Sequence, residues 1–275
     1  MENTLRKSTY SLLAMDLDGT LVNGAKVITP RTLRALKEAQ QKDVQIVIST
    51  GRPVEGAMHI VEQLEMTQRG GFLVSYNGAL VHDCLTGDEI FSCPVPDRHI
   101  PFLLQRALEN DCAFVVYQGD VVLTTDAASE YVRYSGRNNH LPVRETRDFL
   151  AEANPPFYKG LIVGEPSQMP SLRDRLTEEM RGELDFCLSE PFFLECVAPG
   201  VSKMGGIEAV LRRTGIPIEQ VIAIGDSDND VSMIQKAGLG VAMGNARENA
   251  KLAADAVTAS NEEDGVADII ERYLL

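Results

Sequence analysis

The chain has 275 residues, 44% hydrophobic and 24% charged, enough for one large domain or two modest ones with a buried core. Its net charge of −14, from 26 basic and 40 acidic residues, argues against nucleic acid or anionic membrane as the main partner. The five cysteines (Cys84, Cys93, Cys112, Cys187 and Cys196) form no C-x-x-C pair, which disfavours a disulfide framework or a zinc site and points to reduced thiols in a cytosolic protein.

In chain order, the first apolar run is Leu12–Met15, of strand length and too short for a signal peptide; no segment is long enough to span a bilayer. Thr29-Pro30 predicts a helix start, with Thr as N-cap and Pro at the first helical position, and the helix is expected to run to about Lys42. Val44–Ile48 and Phe72–Tyr76 read as further strands, nearly all apolar, as strands buried on both faces are. The C-terminal part repeats the pattern: a helix from about Ser202 to Arg213, a strand Val221–Ile224, a helix around Asp230–Ala237 and a short strand Leu239–Met243. Alternating strand and helix predicts an α/β fold, a Rossmann-like parallel sheet with helices on both faces.

The middle differs. From about Leu85 to Glu190 the apolar runs shorten and turn signals recur at Thr86-Gly87-Asp88, Gly119-Asp120, Asn138-Asn139 and Asn154-Pro155-Pro156. An inserted α+β domain over 85–190 is expected, between core segments 1–84 and 191–275.

Three clusters follow directly on apolar strands, where parallel α/β sheets bind ligands. In Asp16-Leu17-Asp18-Gly19-Thr20, alternation puts both carboxylates on one side of the extended chain, and Gly19 lets the backbone turn. This suits a nucleophile and an acid/base around a metal; a polar strand end whose aspartates bond to turn amides is the plainer reading. Gly225-Asp226-Ser227-Asp228-Asn229-Asp230 offers oxygen ligands for a hard cation. It is not an EF-hand, since Val231 and Ala237 stand where Gly and Glu are required; Asn229 or Asp230 can also cap a helix. Ser49-Thr50-Gly51-Arg52-Pro53 supplies a hydroxyl and an open amide before a helix start near Pro53, a seat for phosphate. It is not a nucleotide P-loop, because Ala57-Met58 replaces the required Lys-Ser/Thr. Lys203, after Val201-Ser202, is by itself one basic residue among 26. An acidic chain repels a phosphate dianion, so any such site needs local positive charge.

In order and context these four stretches resemble the motifs of the haloacid dehalogenase (HAD) superfamily, and the chain looks like its Cof-type branch of sugar-phosphate phosphatases. Tyr76-Asn77-Gly78-Ala79 resembles a further signature of that branch, and the middle insertion resembles its cap in position and length. The family usually has Gly after the motif lysine; here Met204 stands there, followed by Gly205-Gly206.

The resemblance implies a phosphatase with Asp16 as nucleophile and Asp18 as acid/base. It implies Mg²⁺ on Asp16, Asp18 (through its carbonyl) and Asp226, with Asp230 and Ser227 supporting the ion. Leu17, Thr50, Gly51, Lys203 and Asn229 are implied around the phosphate, and Arg52, Asn77 and Gly78 near the substrate. The cap is expected to choose the substrate, with His99, Arg133, Tyr134, Arg137 and His140 as polar or aromatic candidates; His59 and His82 lack metal-ligand spacing. The expected partner is a small phosphorylated metabolite, with neither nucleic acid nor membrane, in a cytoplasmic monomer or small homo-oligomer. A phosphosugar mutase, a phosphoryl-accepting receiver and a silent phosphosugar sensor are the competing readings.

Overall fold

The computed structural model describes residues 9–275. Its strands in chain order are β1 Leu12–Met15, β2 Gln45–Ser49, β3 Phe72–Ser75, β4 Leu80–Asp83, β5 Glu89–Ser92, β6 Ala113–Gln118 and β7 Val121–Thr124. They continue with β8 Val143–Glu145, β9 Gly160–Val163, β10 Asp185–Glu190, β11 Phe193–Val197, β12 Val221–Gly225, β13 Leu239–Ala242 and β14 Ala256–Val257.

Eight of them form one sheet in the order β14-β13-β12-β1-β2-β3-β4-β5. From β14 to β3 the pairing is parallel, with Ala14 opposite both Val47 and Ala223; β4 is antiparallel to β3. Every residue of β1, β3, β12 and β13 is buried, so helices cover both faces. Helices Lys203–Thr214 and Val231–Lys236 pack on each other, as do Pro30–Gln41 and Gly265–Tyr273. The first of these begins as the sequence predicts, with Thr29 accepting from the Thr32 amide and Pro30 in the first turn. From β1 the chain runs to β2 and β3 on one side and, after the insertion, through β12 to β14 on the other. The switch point therefore lies between β1 and β12, and a doubly wound sheet opens a crevice at the carboxyl ends of such strands.

The chain divides into two compact units. The first takes the chain up to Gly51, Ile60–Phe91 and Ser202–Leu275; the second takes Arg52–His59 and Ser92–Val201. These limits differ from the expected 85 and 190 for a physical reason at each end. The Thr86-Gly87-Asp88 signal is a turn inside the first sheet: Asp83 accepts from the Leu85 and Thr86 amides, and Gly87 takes φ +77. At the other end, β11 pairs with β10 and β9 and so belongs to the second sheet.

That second sheet has the order β10-β11-β9-β6-β7-β8. Helices Ile100–Glu109 and Met169–Glu179 bury Leu103, Leu172 and Leu176 with Phe114, Ile162 and Leu194 in its core. Alternation turns Glu195 to the opposite face, where it pairs with buried Lys159 at 2.8 Å. Among the described residues, no helix is long and apolar enough to cross a membrane.

Candidate active site

The carboxyl ends of β1 and β12 are held side by side, because the Asp16 amide donates to the Ile224 carbonyl at 3.0 Å. Asp16 and Asp226 thus leave adjacent strands at the switch point. Gly225 cannot be larger: a Cβ there would lie 2.4 Å from the Asp230 Cβ. Asp230 folds back over this position, its Oδ2 accepting from the Asp226 and Ser227 amides at 3.0 and 2.9 Å. With Ser227 it closes a capping box on the 3₁₀ turn Asp228–Asp230, so the helix expected from Asp230 starts at Val231. Gly19, at φ +85, turns the chain after Asp18; a Cβ there would meet Asp226 Oδ2 at 2.7 Å.

Lys203 reaches the same place from its helix, which Ser202 caps by accepting from the Gly205 amide at 3.1 Å. Its ammonium is buried, donating to Asp16 Oδ1 and, at 2.6 Å, to Asp230 Oδ1. Met204, the departure from the family pattern, points into the core at 3% exposure and leaves the helix start intact.

Asp16, Asp226 and Asp230 each present an oxygen within 4.8 Å of the others. Three carboxylates facing one ammonium leave a surplus of two negative charges. Burial pushes the Asp16 carboxyl well above its ordinary value; Lys203 opposes this, and Asp230 and Asp226 add to it. Burial, then Asp230, likewise raises Asp226. Burial alone would lower Lys203, but Asp16 and Asp230 hold its ammonium above the usual lysine range. An all-oxygen donor set with a surplus of two charges fits a hard divalent cation.

Ser227 supports the acidic cluster, its Oγ donating to Asp226 Oδ2 at 3.0 Å. Leu17 is buried, and its carbonyl accepts from the Leu21 and Val22 amides. Thr50 is buried after β2, joined to β3 through Thr50 N to Val74 O and tied to Asn77 through its own carbonyl. Asn77 stands at φ +56, and its Oδ1 accepts from Asn229 Nδ2 at 2.9 Å; Gly51 lies against the same amide. The Asp18 side chain turns to Lys26, which donates to Oδ1 at 2.6 Å.

Gly78, at φ +102, packs against the helix that carries Lys203: a Cβ on it would come 2.1 Å from the Ser202 carbonyl. Arg52 opens the segment that belongs to the second unit; it is buried and donates to the Gly56 carbonyl at 3.1 Å. The cap candidates are scattered within that unit. Arg133 pairs with Glu130, with Arg137 3.8 Å from the same residue. His140 stands edge-on to His59, Tyr134 packs on Phe192 and Phe193, and His99 lies 3.2 Å from Glu183.

The sequence reading assigned no role to Thr20, Lys26 or Asn245. Thr20 Oγ1 donates to Asp226 Oδ1 at 3.0 Å, and its signal was a hydroxyl two residues past Asp18. Asn245 Nδ2 donates to the Gly19 carbonyl at 2.8 Å from 226 residues away, and nothing local marks it.

A model of the haloacid dehalogenase-like hydrolases matches residues 13–270. A 5-amino-6-(5-phospho-D-ribitylamino)uracil phosphatase of Bacillus subtilis is 31% identical over 268 residues, 96% of each chain. The crystal structure of a haloacid dehalogenase-like hydrolase from Bacteroides thetaiotaomicron superposes with a TM-score of 0.92 at 38% identity, covering 96% of this chain and 99% of that one. A HAD subclass IIB sugar phosphatase shares the fold, with a TM-score of 0.80 at 24% identity over 96% and 98% of the two chains.

Proposed function

The chain belongs to the haloacid dehalogenase-like hydrolases and is a phosphatase of that family, and on that premise we propose a Mg²⁺-dependent phosphomonoesterase that works through a phosphorylated Asp16. The observation that carries this reading is the buried Lys203 ammonium shared between Asp16 and Asp230, beside Asp226. A carboxylate cannot approach a phosphate dianion without compensating charge; Lys203 supplies one positive charge, and the surplus carboxylates would hold the divalent cation that supplies the rest.

In the first step an Asp16 oxygen bonds to phosphorus in line as the bond to the leaving oxygen breaks. Asp18 gives its proton to the departing alkoxide. In the second step Asp18 takes a proton from water, the water oxygen bonds to phosphorus, and the Asp16 carboxylate is released with free phosphate. Lys203, Thr50, the Leu17 and Gly51 amides and Asn229 surround the phosphoryl oxygens as donors. Asp16, Asp226 and the Asp18 carbonyl would hold Mg²⁺, with Asp230 and Ser227 orienting its waters. Bound there, the ion supplies the remaining positive charge.

The substrate class is a small phosphorylated metabolite, with a sugar phosphate as the leading candidate. Support comes from the relatives, one named for a phosphoribitylamino pyrimidine and one for sugar phosphates. The second unit is assigned the choice among substrates, because all four motif clusters apart from Arg52 and Pro53 lie in the first.

A phosphate-release screen over phosphorylated metabolites tests the reading. EDTA should silence activity and Mg²⁺ should restore it. Full activity in chelator, or restoration by Zn²⁺ alone, would contradict it. Return of the phosphoryl group to the product without free phosphate would favour a mutase.

A further inference from the structure

The loop between β1 and helix Pro30–Gln41 is built more firmly than a solvated connection needs to be. Asn23 is its hub: its Oδ1 accepts from the Ala25 and Val27 amides, both at 3.1 Å, and its carbonyl accepts from the Lys26 amide at 2.9 Å. Distant residues pin the loop as well. The Gly24 amide donates to Glu262 Oε1 at 2.6 Å, and Asn261 Nδ2 donates to the Val22 carbonyl at 2.9 Å. At its tip stands Lys26 at φ +61, a left-handed conformation that L side chains rarely adopt. Strain of this kind persists only where the surroundings over-determine it, and it concentrates at functional sites.

At this tip Lys26 Nζ donates to Asp18 Oδ1 at 2.6 Å. The lysine side chain is 44% exposed and the aspartate 30%, so the pair adds little to stability. Its consequence is directional. By holding one carboxyl oxygen, the ammonium fixes how the Asp18 carboxyl group is turned.

We propose that Lys26 is a positioning residue that fixes the Asp18 carboxyl group for proton transfer to the leaving oxygen. This rests on the reading of Asp18 as the acid that protonates the leaving group.

The test is leaving-group dependence. An alkyl phosphate needs its leaving oxygen protonated; p-nitrophenyl phosphate, which leaves as a stabilised phenolate, hardly does. Lys26→Met should lower kcat/KM, which reads the first step and not the shared hydrolysis of phosphorylated Asp16, by about tenfold or more on an alkyl phosphate and by no more than about twofold on p-nitrophenyl phosphate. Lys26→Arg, which keeps the charge, should recover most of the loss. Asp18→Asn should show the same split in stronger form, and the double variant should be no slower than Asp18→Asn alone, as residues acting through one step are non-additive. Thermal unfolding checks that each variant is folded.

If Asp18→Asn shows the split and Lys26→Met does not, the assignment of Lys26 is overturned while Asp18 stands. Equal losses on both substrates in Lys26→Met would overturn it too, as the mark of a merely structural loop. If Asp18→Asn itself shows no split, the acid reading fails, and the role of Lys26 fails with it.

Discussion

Lys203 and Asp230 meet at 2.6 Å with both side chains almost wholly buried, on a helix and a turn 27 residues apart in the chain. The same ammonium touches Asp16, 187 residues away. A buried charge of this kind stays ionised only because its partners surround it, so the catalytic cluster is also a folding element.

Replacement of Lys203 therefore has two effects. Lys203→Met should lower unfolding stability in chelator by about 3 kcal/mol, because it leaves buried carboxylates uncompensated. It should also lower kcat by at least about a hundredfold, or about 2.7 kcal/mol of barrier. Denaturant titration and steady-state kinetics on the same preparation check both.

The acidic cluster makes stability depend on metal and pH together. Burial raises Asp16 and Asp226 above their ordinary carboxyl values in the folded protein. A raised folded pKa means that the folded state binds more protons than the unfolded one. Without metal, this contribution is full below the unfolded carboxyl value and is lost as pH rises through the folded one. A divalent cation takes over the compensation, so the rise in Tm on adding Mg²⁺ should grow as pH rises from about 4. Thermal melts across pH, with and without EDTA, measure it; an increment that shrinks with pH would contradict the cluster's electrostatics.

Glycine positions separate packing from backbone strain. Gly78→Ala meets both a φ of +102 and the Ser202 carbonyl at 2.1 Å, so it should destabilise by about 3 kcal/mol or more and displace Lys203. Gly87→Ala has φ +77 and nothing within 4 Å, and should cost only about 1 kcal/mol with kcat unchanged. Matched denaturation curves and kinetics for the pair decide the point.

Much of this was legible in the sequence where local pattern and chemistry coincide. Leu12–Met15 and Val221–Ile224 are continuous apolar runs because both faces of their sheet are covered, and each ends in carboxylates. The family resemblance gives Lys203 a meaning that one basic residue among 26 lacks, since its contacts span most of the chain. Thr86-Gly87-Asp88 reads as a boundary because a turn inside a sheet and a linker use the same residues. Lys26 carried no local mark: its left-handed backbone is imposed by Asn23, Asn261 and Glu262, and only the folded chain brings these together.

Phosphorylation of Asp16 can be trapped by rapid quench during turnover, borohydride reduction and peptide mass analysis, because an acyl phosphate is reduced to an alcohol and a free carboxylate is not. Reduction is expected at Asp16 alone, dependent on both Mg²⁺ and substrate, and none in Asp16→Asn, which should retain less than about a hundredth of kcat. Reduction at Asp18 or Asp226 instead, or steady turnover by Asp16→Asn, would contradict phosphorylation of Asp16.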